Sequence, residues 1–311
     1  MLNGKKVLVT GGGGFLGSHL VDKLLEKGAN VTVVDLSSPE SSRNLSHVKD
    51  RINFAEWDIT NFSDSHKLGR DFDYIFHLAA CAAPSFCEAN PEKAFRVNVQ
   101  GTYNMLRLAS EIKPKKFVFS SSAGIYGTYP KYTPIDEKHP VEIENNVYNV
   151  TKVIGENLCN FFAERHEMPI VILRLFTTFG PRQSTDYFFP TLISQALKDK
   201  KIELWNSKPT RDFNFVENTV DAFVRAAESD FVGGPINIGS GREIKISEIA
   251  QKIAKDFGAE LSFLEKDVVG PMVLCCDNRK AKEVLGWETK VSFEDGLSKT
   301  IEWYKKNIHL L

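Results

Sequence analysis

Tyr148 and Lys152 stand four residues apart, so on a helix both side chains project from one face. A phenol with a pKa near about 10 is a weak base at neutral pH, but an adjacent ammonium favours the phenolate. Such a tyrosine can take a proton from a hydroxyl group. Taken alone, the Tyr-x-x-x-Lys spacing is common by chance and often a surface pair. Its force here comes from Ser120-Ser121-Ser122, which closes a short apolar run at 116–120 that reads as a strand. A serine at such a strand end, where ligands of open α/β sheets bind, can hold the reacting oxygen.

Elements must exist to bring these residues together, and the pattern supplies them. Lys5-Lys6-Val7-Leu8-Val9-Thr10 is β-rich and ends in glycines, residues 15–27 then show helical spacing through Leu16, Leu20, Leu24 and Leu25, and Gly28 follows as a stop. Val31-Thr32-Val33-Val34 is a continuous apolar run of the kind buried on both faces of a parallel sheet. Further strand candidates are 52–55, 74–78 and 170–176, with helix-like stretches at 91–112 and 148–166. This alternation predicts a doubly wound parallel α/β sheet. After about Arg174 the pattern loosens into helices at 188–198, 218–228, 246–257 and 293–306, with short strands at 202–204 and 235–238. The expected organisation is therefore a Rossmann domain over 1–173 and a smaller α+β substrate lobe over 174–311, some segments returning to the first domain.

Thr10-Gly11-Gly12-Gly13-Gly14-Phe15-Leu16-Gly17 links the first strand to the first helix. Gly11 permits the tight turn, Gly14 lets backbone approach a pyrophosphate, and Gly17 lets the helix pack on the sheet, with the phosphate at the helix N-terminus. Asp35, ending the second strand, completes a dinucleotide fingerprint. It can accept hydrogen bonds from both ribose hydroxyls and would repel a 2′-phosphate, which favours NAD over NADP. An oxidised nicotinamide beside Tyr148 would favour the phenolate further and accept a hydride from the carbon whose hydroxyl loses its proton. Asp58, in Trp57-Asp58-Ile59-Thr60, reads equally as an acceptor for the adenine amine or as a helix N-cap.

Composition narrows the class. The 311 residues carry 39 Lys+Arg against 40 Asp+Glu, a formal charge of −1, so no global field draws the chain to nucleic acid or anionic membrane. No apolar run of 18 residues exists, and the N-terminus does not read as an export signal. Cys81, Cys87, Cys159, Cys275 and Cys276 are odd in number and lack any Cys-x-x-Cys pair, which suits a reduced cytoplasm. Cys81 and Cys87 read as small residues packed in a loop around Pro84-Ser85-Phe86, and Cys275-Cys276 as core within an apolar strand-like run with Val273 and Leu274. None of the seven histidines falls in a ligand cluster, so no metal is expected.

The glycine turn, His77-Leu78-Ala79-Ala80, Ser120-Ser121-Ser122 with Tyr126-Gly127, Tyr148 to Lys152, Arg174-Leu175-Phe176 with Gly180-Pro181-Arg182, and Arg211-Asp212-Phe213 occur in one order. That order resembles the NAD-dependent epimerase/dehydratase family, the extended short-chain dehydrogenases acting on nucleotide sugars, and the resemblance covers essentially the whole chain. It implies that Tyr148 is the catalytic base, Lys152 its ribose-binding partner, and Ser122 the residue that binds the sugar O4. Leu78, Ala79 and Ala80 would line the cofactor with Ile59 and Ser120, and Asn98 would lie below that strand end. Ser85, Thr177, Arg182 and Arg211 would contact the substrate, Arg211 at its pyrophosphate. The competing readings are a core strand for Leu78 to Ala80, a helix-surface amide for Asn98 and an exposed ion pair for Arg211.

The resemblance also separates reactions. Family dehydratases carry Asp-Glu right after the position of Ser122, and decarboxylating relatives often a glutamate at the position of Gly124; here the pair is Ala123-Gly124. With only the redox set intact, a nucleotide-sugar 4-epimerase working through a transient 4-keto sugar has the fewest missing parts. Alternatives are a dehydratase or 4-keto reductase, or an NAD-binding sensor without turnover. Three departures stand out: Trp205-Asn206-Ser207-Lys208 replaces the usual Gly-Asp-Gly, Thr177 replaces an asparagine as in UDP-glucuronate 4-epimerases, and the stretch with a second pyrophosphate arginine has only Lys266. In relatives the helices matching 91–112 and 147–167 pair across a two-fold axis as a four-helix bundle, so a homodimer is expected, with Phe95, Val99, Leu106, Phe161 and Phe162 as its apolar surface.

Overall fold

Apolar residues on both faces of a strand demand cover on both sides, and the first half of the chain folds accordingly. The computed structural model describes residues 2–142, 146–264 and 271–308. Its first half runs β1 (Lys6–Thr10), α1 (Phe15–Glu26), β2 (Asn30–Asp35), β3 (Asn53–Glu56), β4 (Tyr74–His77), α2 (Pro84–Ala89), α3 (Pro91–Phe95), α4 (Thr102–Ile112), β5 (Lys116–Ser122), α5 (Val147–His166) and β6 (Ile170–Leu175). The second half runs β7 (Thr177–Phe179), α6 (Phe188–Lys198), β8 (Lys201–Leu204), β9 (Thr210–Phe215), α7 (Val216–Glu228), β10 (Gly233–Ile238), β11 (Glu243–Lys245), α8 (Ile246–Phe257), β12 (Glu260–Phe263), α9 (Arg279–Leu285) and α10 (Phe293–Lys306).

Seven parallel strands form the central sheet in the order β10-β6-β5-β4-β1-β2-β3. Alternate residues serve opposite cores: Val7, Val9, Val33 and Phe76 pack with Leu20, Leu24 and Val220 on one side, and Leu8, Ile75, Phe117 and Phe119 pack with Met105, Leu108 and Phe162 on the other. β10 comes from the second half and pairs with β6, and α7 packs against α1, so late segments cover and extend the first sheet. The strand order reverses between β1 and β4, where Thr10 is in register with His77, and the crevice above those strand ends is where ligands of such sheets bind.

The smaller lobe is built on the sheet β11-β9-β7 and the pair β12-β8. Its centre is aromatic: Phe179, Phe189, Phe213, Phe215 and Phe293 meet at ring separations of 4.4–6.3 Å.

Two expectations change. The helix expected over 91–112 is divided into α3, a π-helical turn at Arg96–Gly101, and α4. Gly101 sits against Ile59, whose Cδ1 would lie 2.6 Å from any added Cβ, so the turn and the loop after β3 are fitted together. The expected strand around Val273 to Cys276 reduces to a single bridge between Ile135 and Cys276, although Cys275 and Cys276 are buried as expected.

Candidate active site

The glycine turn comes first. Gly11 has φ +72° and its Cα faces Ala79, 2.8 Å from where a Cβ would stand, so both the conformation and the space call for glycine. At Gly17 an added Cβ would lie 2.1 Å from the Gly11 carbonyl oxygen, which is how the helix comes to rest on the turn. No side chain caps α1 at Gly14. The first-turn N–H groups of Phe15 and Leu16 are therefore left for a ligand anion at the positive end of the helix. Asp35 closes the site: Oδ2 accepts from the Gly13 N–H at 2.9 Å and Oδ1 from the Leu36 N–H at 2.8 Å. Each oxygen keeps a further lone pair for a ribose hydroxyl. These features fit a dinucleotide, and Leu78, Ala79 and Ala80 follow β4 half-buried, with Leu78 and Ala79 against Gly11.

Asp58 is exposed and its Oδ1 accepts from the Thr60 N–H at 2.9 Å. The residue preceding the next short helix is Asn61, so the N-cap alternative for Asp58 does not hold. Ile59 is buried, with its carbonyl accepting from Asn104 Nδ2 at 2.7 Å. Asn98 is no helix-surface amide. It is buried, accepts from the Cys81 N–H at 2.8 Å, and donates to the Cys81 carbonyl and the Thr151 hydroxyl at 3.0 and 2.9 Å.

Ser122, Tyr148 and Lys152 converge as expected. β5 extends through Ser122, whose hydroxyl caps the following turn by accepting from the Gly124 N–H at 3.1 Å. Burial pushes the nearby Tyr148 phenol well above its usual range, Tyr187 adds to the effect, and the Ser122 hydroxyl acts to lower it. Lys152 is buried, donates from Nζ to the Ser120 carbonyl at 2.7 Å, and is pulled down to about 8 by burial. Both charged forms are thus costly singly, and a phenolate–ammonium pair offsets the two costs together.

Beneath these residues lies a buried network that the motif reading did not assign. Glu156, one turn beyond Lys152 on α5, binds the Arg174 guanidinium through both oxygens at 2.9 and 2.7 Å and accepts from the Ser121 hydroxyl at 2.6 Å. Arg174 donates to Tyr126 Oη at 2.9 Å, and Tyr126 donates to Asn237 of β10 at 2.7 Å. The spacing 148, 152, 156 was the available signal for Glu156; its partner was not visible in the sequence.

The substrate-side residues fare variously. Ser85 is exposed on α2, not in a loop. Cys87 is buried in the same helix, its thiol donates to the Cys81 carbonyl at 3.3 Å, and burial pushes it up to about 11. Burial also raises the Cys81 thiol, so neither has the character of a reactive thiolate. Thr177 opens β7 beside Phe213 of β9. Arg182 does not stand free for a substrate: its guanidinium pairs with Asp22 of α1 at 2.8 Å. Arg211 is half-buried on β9 and donates to its neighbour's carbonyl at 2.7 Å, and among the described residues no carboxylate pairs with it. Burial lowers its pKa. Lys266 and its stretch lie outside the described residues. Among the described residues there is no cluster of metal-ligating side chains and no helix long and apolar enough to cross a membrane.

Comparison with known proteins agrees with this geometry. The model of the NAD dependent epimerase/dehydratase family matches residues 7–239. UDP-glucuronic acid decarboxylase 1 of Xenopus tropicalis is 34% identical over 98% of this chain and 73% of its own length. An epimerase of Methanothermobacter thermautotrophicus superposes with a TM-score of 0.92 at 33% identity, covering 99% of this chain and 94% of that one. The UDP-glucuronic acid 4-epimerase of Bacillus cereus, solved with UDP-glucuronic acid and NAD, superposes with a TM-score of 0.89 at 32% identity, covering 97% and 99%.

Proposed function

The chain belongs to the NAD-dependent epimerase/dehydratase family, and from that membership we propose that it is a nucleotide-sugar 4-epimerase acting on a UDP-hexose or UDP-hexuronate. One observation carries the choice among the family's reactions. Gly124, where an eliminating or decarboxylating enzyme would hold an acid, is pressed against Asn149, whose Oδ1 would stand 2.3 Å from an added Cβ. The position has no proton-transferring group, and a side chain there would have to displace the Asn149 amide. The curated relatives named UDP-glucuronic acid decarboxylases favour decarboxylation as the second reading.

NAD, when bound, supplies the hydride acceptor and donor that take sugar C4 through a ketone. The chain's own residues do the rest. Ser122 holds the sugar O4 against Tyr148, and Tyr148 takes the O4 proton and returns it at the end of the cycle. Lys152, behind them, favours the phenolate by its charge. Arg211 receives the diphosphate, its fork matching paired phosphate oxygens. The protein works as a homodimer through α4 and α5, and its five free cysteines suit the reducing cytoplasm.

The test is to give purified protein UDP-glucose, UDP-galactose and UDP-glucuronate without added cofactor and to follow mass and NMR spectra. A product of unchanged mass inverted at C4 is expected. Loss of carbon dioxide from UDP-glucuronate would install the decarboxylase reading, loss of water the dehydratase, and inertness toward every donor a non-catalytic binder.

A further inference from the structure

His77 ends β4, is 1% exposed, and stacks on Phe119 at a ring separation of 5.8 Å. Both its ring nitrogens are engaged, Nδ1 with Thr10 Oγ1 at 2.7 Å and Nε2 with Thr102 Oγ1 at 3.0 Å. The direction of each bond follows from the neighbours. Thr102 spends its hydroxyl proton on the Asn98 carbonyl at 2.6 Å, so toward the imidazole it can only accept, and Nε2 must carry the proton. Thr10 Oγ1 accepts from the Ala79 N–H at 3.2 Å, and its own proton is free for Nδ1. Burial holds the ring neutral, so these two roles are fully determined.

The chain of bonds continues past the histidine. The Asn98 amide ties down both backbone groups of Cys81 and donates to Thr151 Oγ1, and Thr151 donates in turn to the Tyr148 carbonyl at 2.7 Å. One oriented path therefore joins the end of β1, the residue before the glycine turn, to the first turn of α5. The π-helical turn at Arg96–Gly101 carries Asn98 at its middle, and Thr102 follows directly after it.

We propose that His77, with its proton on Nε2, is a positioning residue: through Thr102 it holds the helix that carries Tyr148 so that the phenol is aimed, and through Thr10 it holds the strand end that leads into the cofactor turn. The inference rests on the active site assigned above. Its Thr10 leg serves the cofactor turn and its Thr102 leg serves the base, which predicts separate consequences for breaking each.

The experiment uses protein labelled with ¹⁵N in its histidine rings and loaded with NAD. Wild type should show His77 as the Nε2–H form; an Nδ1–H form overturns the proposal. Thr102→Val should speed amide exchange in the first turn of α5 and lower kcat by at least about tenfold, the scale on which misplacing a catalytic group slows a reaction, while sugar KM and NAD retention stay within about twofold. Thr10→Val should instead weaken NAD retention. Thr102→Ser, which keeps the hydroxyl, should restore wild-type behaviour, and Thr102→Ala stands in if the valine variant does not fold. Unchanged exchange and kcat in both hydroxyl-free variants, or an equal fall in all parameters in every variant including Thr102→Ser, would reduce His77 to a core residue. The tautomer and exchange readouts do not depend on which sugar is turned over, so they stand even if the epimerase reading fails.

Discussion

The Nζ of Lys152 lies 5.6 Å from the centre of the Tyr148 ring, held there by its bond to the Ser120 carbonyl. That anchor keeps the ammonium beside the phenol without neutralising it. Tyr148→Phe should therefore keep the fold and the bound NAD while turnover falls by about a hundredfold or more, the usual scale for a positioned general base. Steady-state rates and the cofactor content of purified protein check this. A rate within a few-fold of wild type would remove Tyr148 from the chemistry.

Asp35 closes the glycine turn through Gly13, and as the proposed ribose acceptor it would repel a 2′-phosphate. NADP should bind at least about tenfold more weakly than NAD, or roughly 1.4 kcal/mol. Asp35→Ala should weaken NAD and narrow that gap. Titration of cofactor-free protein with each dinucleotide decides it, equal affinities counting against the assignment.

Arg211 has a desolvated charge and no carboxylate partner among the described residues. Arg211→Ala should raise the Kd of a UDP-sugar at least about tenfold, and Arg211→Lys should recover only part because an ammonium lacks the two-pronged fork. NAD content should not change in either variant. Wild-type affinity in Arg211→Ala would mean that the diphosphate is held elsewhere.

His19 of α1 donates from Nε2 to the Pro181 carbonyl at 2.9 Å, and burial pulls it from 6.5 down to about 4. The unfolded chain then takes up this proton before the folded one does, so stability present above about pH 6.5 is lost as pH falls toward 4. His19→Gln keeps a donor but cannot titrate. Its unfolding free energy should fall less than that of wild type over this window, by on the order of 2 kcal/mol, in denaturant melts at several pH values. Parallel losses in the two proteins would show that His19 does not titrate on unfolding.

The aromatic face of α3 to α5 is narrower than expected. Leu106 and Phe162 are buried, leaving Phe95, Tyr103 and Phe161 at 39, 41 and 58% exposure and Val99 half-buried. Phe161 and Tyr103 both touch the Phe162 ring, at 5.7 and 5.9 Å, and so belong to one contiguous surface. Light scattering at micromolar concentration should give a dimer for wild type and a monomer for Phe161→Glu, since a charge in an apolar interface is left unpaired. A wild-type monomer would reject this interface.

Features with a local or periodic signal were legible in the sequence. The glycine turn depends on one conformation and one close approach, α6, α8 and α10 have the expected bounds because their apolar stripes repeat at helical spacing, and Tyr148 and Lys152 share a face because four residues make one turn. What the sequence could not determine is which polar group meets which across the fold. The resemblance assigns Arg182 to the substrate, but the packing of the loop after β7 against α1 matches it to Asp22; likewise only the meeting of β6 with α5 matches Arg174 to Glu156. The π-helical turn is of the same kind, for it exists where Gly101 seats on Ile59 and where Asn98 must turn inward to satisfy Cys81 and Thr151. A buried donor or acceptor left unpaired is costly, so the tertiary structure chose these partners by proximity and geometry, quantities that a residue's own type and spacing do not carry.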